Sequence, residues 1–192
     1  MEDWTKCTRC CLHKFRRQVV LGKGATPADV MFIGEAPGKS EDLRGEPFIG
    51  PSRRILCLAI RRATYMARID TTPSIYLTNV CACRPTDKKN GPNRQPTSDE
   101  MWACHQRLQD EVEMVRPKRI IFLGKVAATA CKALYPGGTP QVHPAYLLRQ
   151  GGERSSEFLR FVRELSKVFE GMNYGYGQTK DMQKAKRKTA TR

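Results

Sequence analysis

No apolar run in the chain approaches the ~20 residues that a bilayer-spanning helix needs. The first residues, Met1-Glu2-Asp3-Trp4, lack a basic-then-apolar leader. These two absences predict a protein of the cytoplasm or nucleoid, neither secreted nor membrane-bound. Internal repeats are missing as well, which argues against a repeat architecture. Acidic residues are scarce, 19 against 34 Lys and Arg, for a formal charge of +15. Such an excess fits a polyanionic partner, most simply nucleic acid. Hydrophobic residues make up 40% of the 192, enough for a core, so disulfides are not needed to fold. The 8 cysteines, in a chain with no sign of export, therefore point to metal binding or redox chemistry.

Three short apolar runs end at or beside a turn residue: Asp29-Val30-Met31-Phe32-Ile33-Gly34, Ile75-Tyr76-Leu77-Thr78-Asn79-Val80 and Arg119-Ile120-Ile121-Phe122-Leu123-Gly124. Runs apolar on both faces suit strands of a covered parallel sheet. Helical patterns separate them. Ile55, Leu56, Ala59, Ala63 and Met66 share a face after Pro51. Met101, Cys104, Leu108, Val112 and Val115 predict one helix, behind the capping-box pair Thr97 and Glu100. Residues 126–134 follow the third strand directly, and Phe158, Phe161, Val162, Leu165, Val168 and Phe169 mark a last helix. Strand alternating with helix gives an α/β fold with a parallel sheet. Residues 178–192 hold six Lys or Arg and one Asp, which reads as a disordered basic arm.

Four groups of residues carry chemistry. Cys7-Thr8-Arg9-Cys10, with Cys83 and Cys104, offers one close thiolate pair and two dispersed thiolates. The spacing leaves zinc and an iron–sulfur cluster both open. Cys57 and Cys131 lie inside helical patterns and read as packing residues; Cys11 and Cys81 each neighbour a candidate ligand. Gly34-Glu35-Ala36-Pro37-Gly38 follows the first strand, at the edge where an open α/β sheet places ligands. Asn79 ends the second strand at the same edge, and its amide can read the edge of a base. His143, followed by Pro144, can donate to a developing anion. Each of the last three alone has a plainer reading: a tight connection, a turn Asn, a structural His.

Together they resemble the family 4 uracil-DNA glycosylases. Gly34-Glu35-Ala36-Pro37-Gly38 with Glu41-Asp42, Gly45 and Pro47-Phe48-Ile49-Gly50 is similar to that family's first motif. Asn79-Val80, then Cys83-Arg84-Pro85, is similar to the second, and His143-Pro144-Ala145-Tyr146-Leu147-Leu148-Arg149 to the third. The resemblance implies a three-layer α/β/α sandwich around a mostly parallel, four-stranded sheet. Its glycosylase domain would span residues 1–170 and the basic tail residues 171–192. It implies excision of flipped-out uracil from DNA, with Glu35 and His143 catalytic and Ala36, Glu41, Phe48 and Asn79 binding the substrate. It further implies a structural 4Fe–4S cluster on Cys7, Cys10, Cys83 and Cys104. Arg53, Arg54, Lys88, Lys89 and Arg149 are candidate DNA contacts on a monomer, and the tail a candidate site for a replication or repair partner.

Three features depart from the family's pattern: Pro51-Ser52-Arg53-Arg54 after Gly50, a longer loop between Cys83 and Cys104, and a short approach to His143 with room for two or three strand residues. The short approach to His143 and the basic tail motivate a rival expectation, a glycosylase-fold DNA-binding or replication-accessory protein with weak or no catalysis. A nucleotide-binding α/β protein is disfavoured, because the glycine loop has Glu and Pro where a phosphate site wants Gly and Lys.

Overall fold

Val30, Met31, Phe32 and Ile33 are all buried, so the strand they form must be covered on both faces. The computed structural model describes residues 3–172, and the basic segment 178–192 lies outside the described residues. The strands are β1 (Lys23–Gly24), β2 (Val30–Gly34), β3 (Ile75–Asn79), β4 (Arg119–Leu123) and β5 (Thr139–Gln141), in the order β1-β3-β2-β4-β5. β2 through β5 run parallel, and β1 pairs antiparallel with β3. The sheet therefore has five strands where the sequence suggests four. β1 is two residues long and has no apolar pattern to betray it. Its approach is fixed by close packing: a Cβ on Gly22 would lie 2.3 Å from the Tyr76 ring.

Alternating strand residues build two cores. Val30, Phe32, Leu77, Ile121 and Leu123 pack with α2 (Pro51–Met66), α6 (Pro144–Arg149) and α7 (Ser156–Glu170). Met31, Ile33, Tyr76 and Phe122 pack with α4 (His105–Val115) and α5 (Lys125–Cys131). Helices thus cover both faces of the sheet, as a three-layer α/β/α sandwich requires. Pro51 opens α2 at its first turn, and Ser155 caps α7 by accepting from the Phe158 amide at 3.1 Å. Burying each large apolar side chain of α7 stabilises the fold by about 1.5–3 kcal/mol.

Two helix expectations need correction. Met66 is 46% exposed, because the last turn of α2 leaves the core. The pattern from Met101 to Val115 is not one helix but α3 (Ser98–Ala103) and α4, broken at Cys104. Thr97 and Glu100 do form a full capping box at the start of α3, yet six residues later the chain turns. The same heptad-like spacing holds on both sides of the break, which is why periodicity alone misses it. The break sets Cys104 against the N-terminal segment.

Candidate functional site

Parallel strands deliver their carboxyl ends to one edge, and ligands of open α/β sheets bind there. Gly34 ends β2 in register with Asn79, which ends β3. A Cβ on Gly34 would lie 2.5 Å from Asn79 Oδ1 and 2.7 Å from Phe48 Cζ, so only glycine lets the amide and the ring meet there. Phe48 is buried and has φ of 52°. That backbone region disfavours L side chains, and a residue held there costs on the order of 1–3 kcal/mol. The strain aims the ring: Phe48 stacks on His143 with centroids 6.2 Å apart and 24° between planes.

The short approach to His143 is a three-residue strand, β5, parallel to β4. Gly124, at the end of β4 with φ of 95°, lies close behind it: a Cβ there would sit 3.3 Å from the His143 Cβ. His143 caps α6, and its Nδ1 accepts from the Ala145 amide at 3.1 Å. A neutral ring bonded this way carries its proton on Nε2. Burial pulls His143 below its ordinary pKa, and the Arg149 charge adds to this, so the ring is a neutral donor.

Glu35 follows Gly34 and is half-buried; burial raises its carboxyl above the ordinary range. Its backbone is tied down, for the Cys81 amide donates to Glu35 O at 3.0 Å and the Val80 amide to Gly34 O at 2.8 Å. Ala36 is half-buried beside the second core. Glu41, in α1 (Lys39–Arg44), turns its carboxylate toward Gly38, near the Asn93 amide. Glu35, Asn79, Phe48 and His143 thus lie at one edge, and Glu41 lies one helical turn away over the Gly38 loop. Asp42, its neighbour in the motif, is buried and accepts from the Arg17 amide at 2.9 Å, which ties that loop to the N-terminal segment.

The proposed ligands Cys7, Cys10, Cys83 and Cys104 line one small cavity, with Cys81, Leu12 and Ala103 in its wall. Nitrogen donors reach two of the sulfurs. Arg16 donates from Nη1 to Cys83 Sγ at 3.2 Å, and from Nη2 to Cys7 O at 2.6 Å. The Ala82 amide and Arg107 Nη2 donate to Cys104 Sγ at 3.3 and 3.6 Å. A hydrogen bond from the Cys81 thiol, helped by the Arg107 charge against the effect of burial, holds Cys104 below the ordinary thiol range. Burial pushes Cys83 up to about 11. Cys11 is exposed and its thiol donates to Glu100 Oε1 at 3.2 Å, while Cys131 is core packing. The four proposed thiols around one cavity, with cationic N–H donors on the sulfurs of Cys83 and Cys104, form a donor set suited to a thiolate-bound cluster. Among the described residues no three such side chains close on the point of a single metal ion.

Side-chain bonds brace the segments around the cavity. Trp4 is buried and donates from Nε1 to Asp110 of α4 at 2.8 Å. Arg84 is buried and donates to Asn93 Oδ1 at 2.6 Å and to Gly91 O, which braces the long loop that follows Cys83. Arg94 then grips Glu100 with two bonds, 2.7 and 2.8 Å. The candidate DNA contacts Arg53, Arg54, Lys88, Lys89 and Arg149 are all exposed. Arg53 and Arg54 start α2 and Arg149 ends α6, helices that pack on each other and begin just after Phe48 and His143. Sequence patterns did not expose Arg107, a residue that is 1% exposed; an Arg within a helical pattern gives no sign of burial.

Residues 21–166 match a family model described as the uracil DNA glycosylase superfamily. The chain is 36% identical over 176 residues to the type-4 uracil-DNA glycosylase of Thermotoga maritima, across 83% of this chain and 85% of that protein. It is 41% identical over 124 residues to the type-4 uracil-DNA glycosylase of Saccharolobus solfataricus, across 65% of this chain and 53% of the relative. Similarity also reaches a type-5 uracil-DNA glycosylase of Pyrobaculum aerophilum, 28% over 114 residues, 54% of this chain and 48% of that protein. The aligned part thus spans about half the length of the Saccharolobus relative.

Proposed function

Because the chain belongs to the uracil DNA glycosylase superfamily, and within it to the type-4 family, we propose that it hydrolyses the N-glycosidic bond of uracil in DNA. The observation that carries this is the meeting of Asn79, Phe48 and His143 around Gly34 and Gly124 at the carboxyl edge of the sheet. The target nucleotide leaves the stack, at a cost of a few kcal/mol. Its base enters between the Phe48 ring and the Asn79 amide. Asn79 pairs with the uracil edge; cytosine presents an amino group where uracil has O4 and leaves the pocket's polar groups mismatched. As the glycosidic bond breaks, negative charge grows on uracil O2, and the His143 Nε2–H donates to it. The carboxylate of Glu35 stabilises the cationic sugar or orients the attacking water. Ala36 presents its backbone N–H to the pocket, and Glu41 is a second carboxylate of the same loop.

Arg53, Arg54, Lys88, Lys89 and Arg149 hold phosphates while the base is out. Cys7, Cys10, Cys83 and Cys104 hold a 4Fe–4S cluster, which supplies a covalent staple between the N-terminal segment, the loop after Cys83 and the helix after Cys104, with no role in bond cleavage. The protein acts as a monomer, in the cytoplasm or on the nucleoid. Residues 1–170 form the catalytic domain and the basic stretch beyond it adds a contact for DNA or a repair partner. A uracil-bearing single-stranded oligonucleotide, incubated with the protein and then treated with alkali, tests the activity. Strand scission above that of a Glu35→Ala, Asn79→Ala double variant supports it, and none above that level refutes it. Salt-sensitive DNA binding without scission would favour the accessory-protein alternative, which the short approach to His143 and the basic tail motivate.

A further inference from the structure

Arg107 is buried in α4, and its bonds reach both the strand end that carries Asn79 and Cys104 of the cavity. Nη2 donates to the main-chain oxygens of Asn79 and Val80, both at 2.6 Å. The same nitrogen reaches Cys104 Sγ at 3.6 Å. Nη1 donates to Thr78 Oγ1 and to Glu111 Oε2, each at 3.0 Å. Glu111 in turn accepts from Thr78 Oγ1 and, through Oε1, from the Gly22 amide at 2.9 Å. One guanidinium therefore holds the last two residues of β3, Thr78 and Asn79, with Val80 just after them, and also touches a cysteine of the cavity.

We infer that Arg107 is a positioning residue that fixes the Asn79 amide against uracil and couples that geometry to the sulfur of Cys104. The argument is one of geometry and desolvation. Burying a guanidinium is costly unless its donors are met; Nε of Arg107 has no partner, but Nη1 and Nη2 make five contacts, three of which end on residues 78–80. Loss of the fork frees the end of β3, and a small displacement of a reading group costs far more in rate than in binding. An N–H donor on a cluster-bound sulfur stabilises the reduced cluster and raises its potential. Oxidation or loss of the cluster would then change the pull of Cys104 on Arg107, and so the set of Asn79.

This inference rests on the proposed function, and the test separates the two. Arg107→Lys keeps the charge opposite Glu111 but cannot span both carbonyls. In the full, iron-loaded chain it should lower kcat on a uracil oligonucleotide by about tenfold or more with KM within about twofold. The cluster's reduction midpoint, read by optical titration, should move to lower potential. Glu111→Gln, which keeps the shape and the Gly22 bond, should move both in the same direction by less. A folded Arg107→Lys protein with wild-type kcat and midpoint, or with only a lower melting temperature, overturns the inference; if that variant does not fold, unchanged values in Glu111→Gln do so. Wild-type protein that releases no uracil refutes the proposed function instead, and the midpoint shift still decides the Arg107–Cys104 contact. A colourless wild type removes the cluster, and the kcat–KM split still decides the contact with Asn79.

Discussion

The backbone amide of Ala145 donates to Nδ1 of His143 at 3.1 Å. That single bond decides which nitrogen of the ring is left free to donate. It engages the lone pair of Nδ1, leaves the proton on Nε2, and uses the first free amides of α6 to do so. With burial opposing protonation, the ring is a neutral donor, and in the proposed mechanism it faces the leaving anion. His143→Ala should lower the rate of uracil release by about 10²–10³, the usual cost of removing one such donor. Single-turnover rates at saturating enzyme measure it, and affinity for uncleavable DNA should be unchanged.

The acid limb of the pH profile follows from Glu35 and His143 together. In the proposed mechanism, release needs Glu35 ionised and His143 neutral. Burial raises the first above its ordinary value and lowers the second below its own. The rate should rise with pH through both and stay flat through neutral pH. In Asn at position 143 (His143→Asn) the Glu35 step should remain and the histidine step vanish. A fall in rate between neutral and mildly alkaline pH would contradict the assignment.

Glu35 also makes a stability prediction. A carboxyl whose folded pKa is raised contributes stability fully present below its unfolded pKa, and that contribution is lost as pH rises through the folded value. At neutral pH the wild type therefore carries the cost of a half-buried charge. Glu35→Gln should melt higher than wild type at neutral pH and match it in acid, while losing activity. Calorimetry at the two pH values measures the difference.

Asn79→Asp should relax discrimination. An aspartate cannot offer the amide donors to uracil O4, and its carboxylate oxygen accepts from the amino group of cytosine. Competition between uracil- and cytosine-bearing oligonucleotides reads the ratio. An unchanged ratio would remove Asn79 from the role of base reader.

Lys88 and Lys89 stand on a loop braced from beneath by Arg84. If both meet phosphates, Lys88→Ala with Lys89→Ala should reduce the slope of log affinity against log salt by about 2 without changing kcat. An unchanged slope leaves them as solvated charges.

The strands, the last helix and the edge that gathers Glu35, Asn79 and His143 were legible in the sequence, because continuous apolar runs and amphipathic spacing answer directly to burial. Breaks were not. Cys104 interrupts a regular apolar spacing without altering it, and only its packing against the N-terminal segment shows why. β1 escaped notice since two residues carry no period. Arg107 escaped because burial of a charge depends on partners contributed by β3, far away in the chain. The backbone of Phe48 gave no sign of its positive φ, which is set by the ring's place between Gly34 and His143.

The most direct measurement is the free base itself. DNA with isotopically labelled uracil is incubated with the protein, and the released base is quantified by chromatography. Wild type should release uracil and leave cytosine, and the Glu35→Ala, Asn79→Ala double variant should release neither above background. Equal release by wild type and double variant, or none by either, would contradict the assignment of this site.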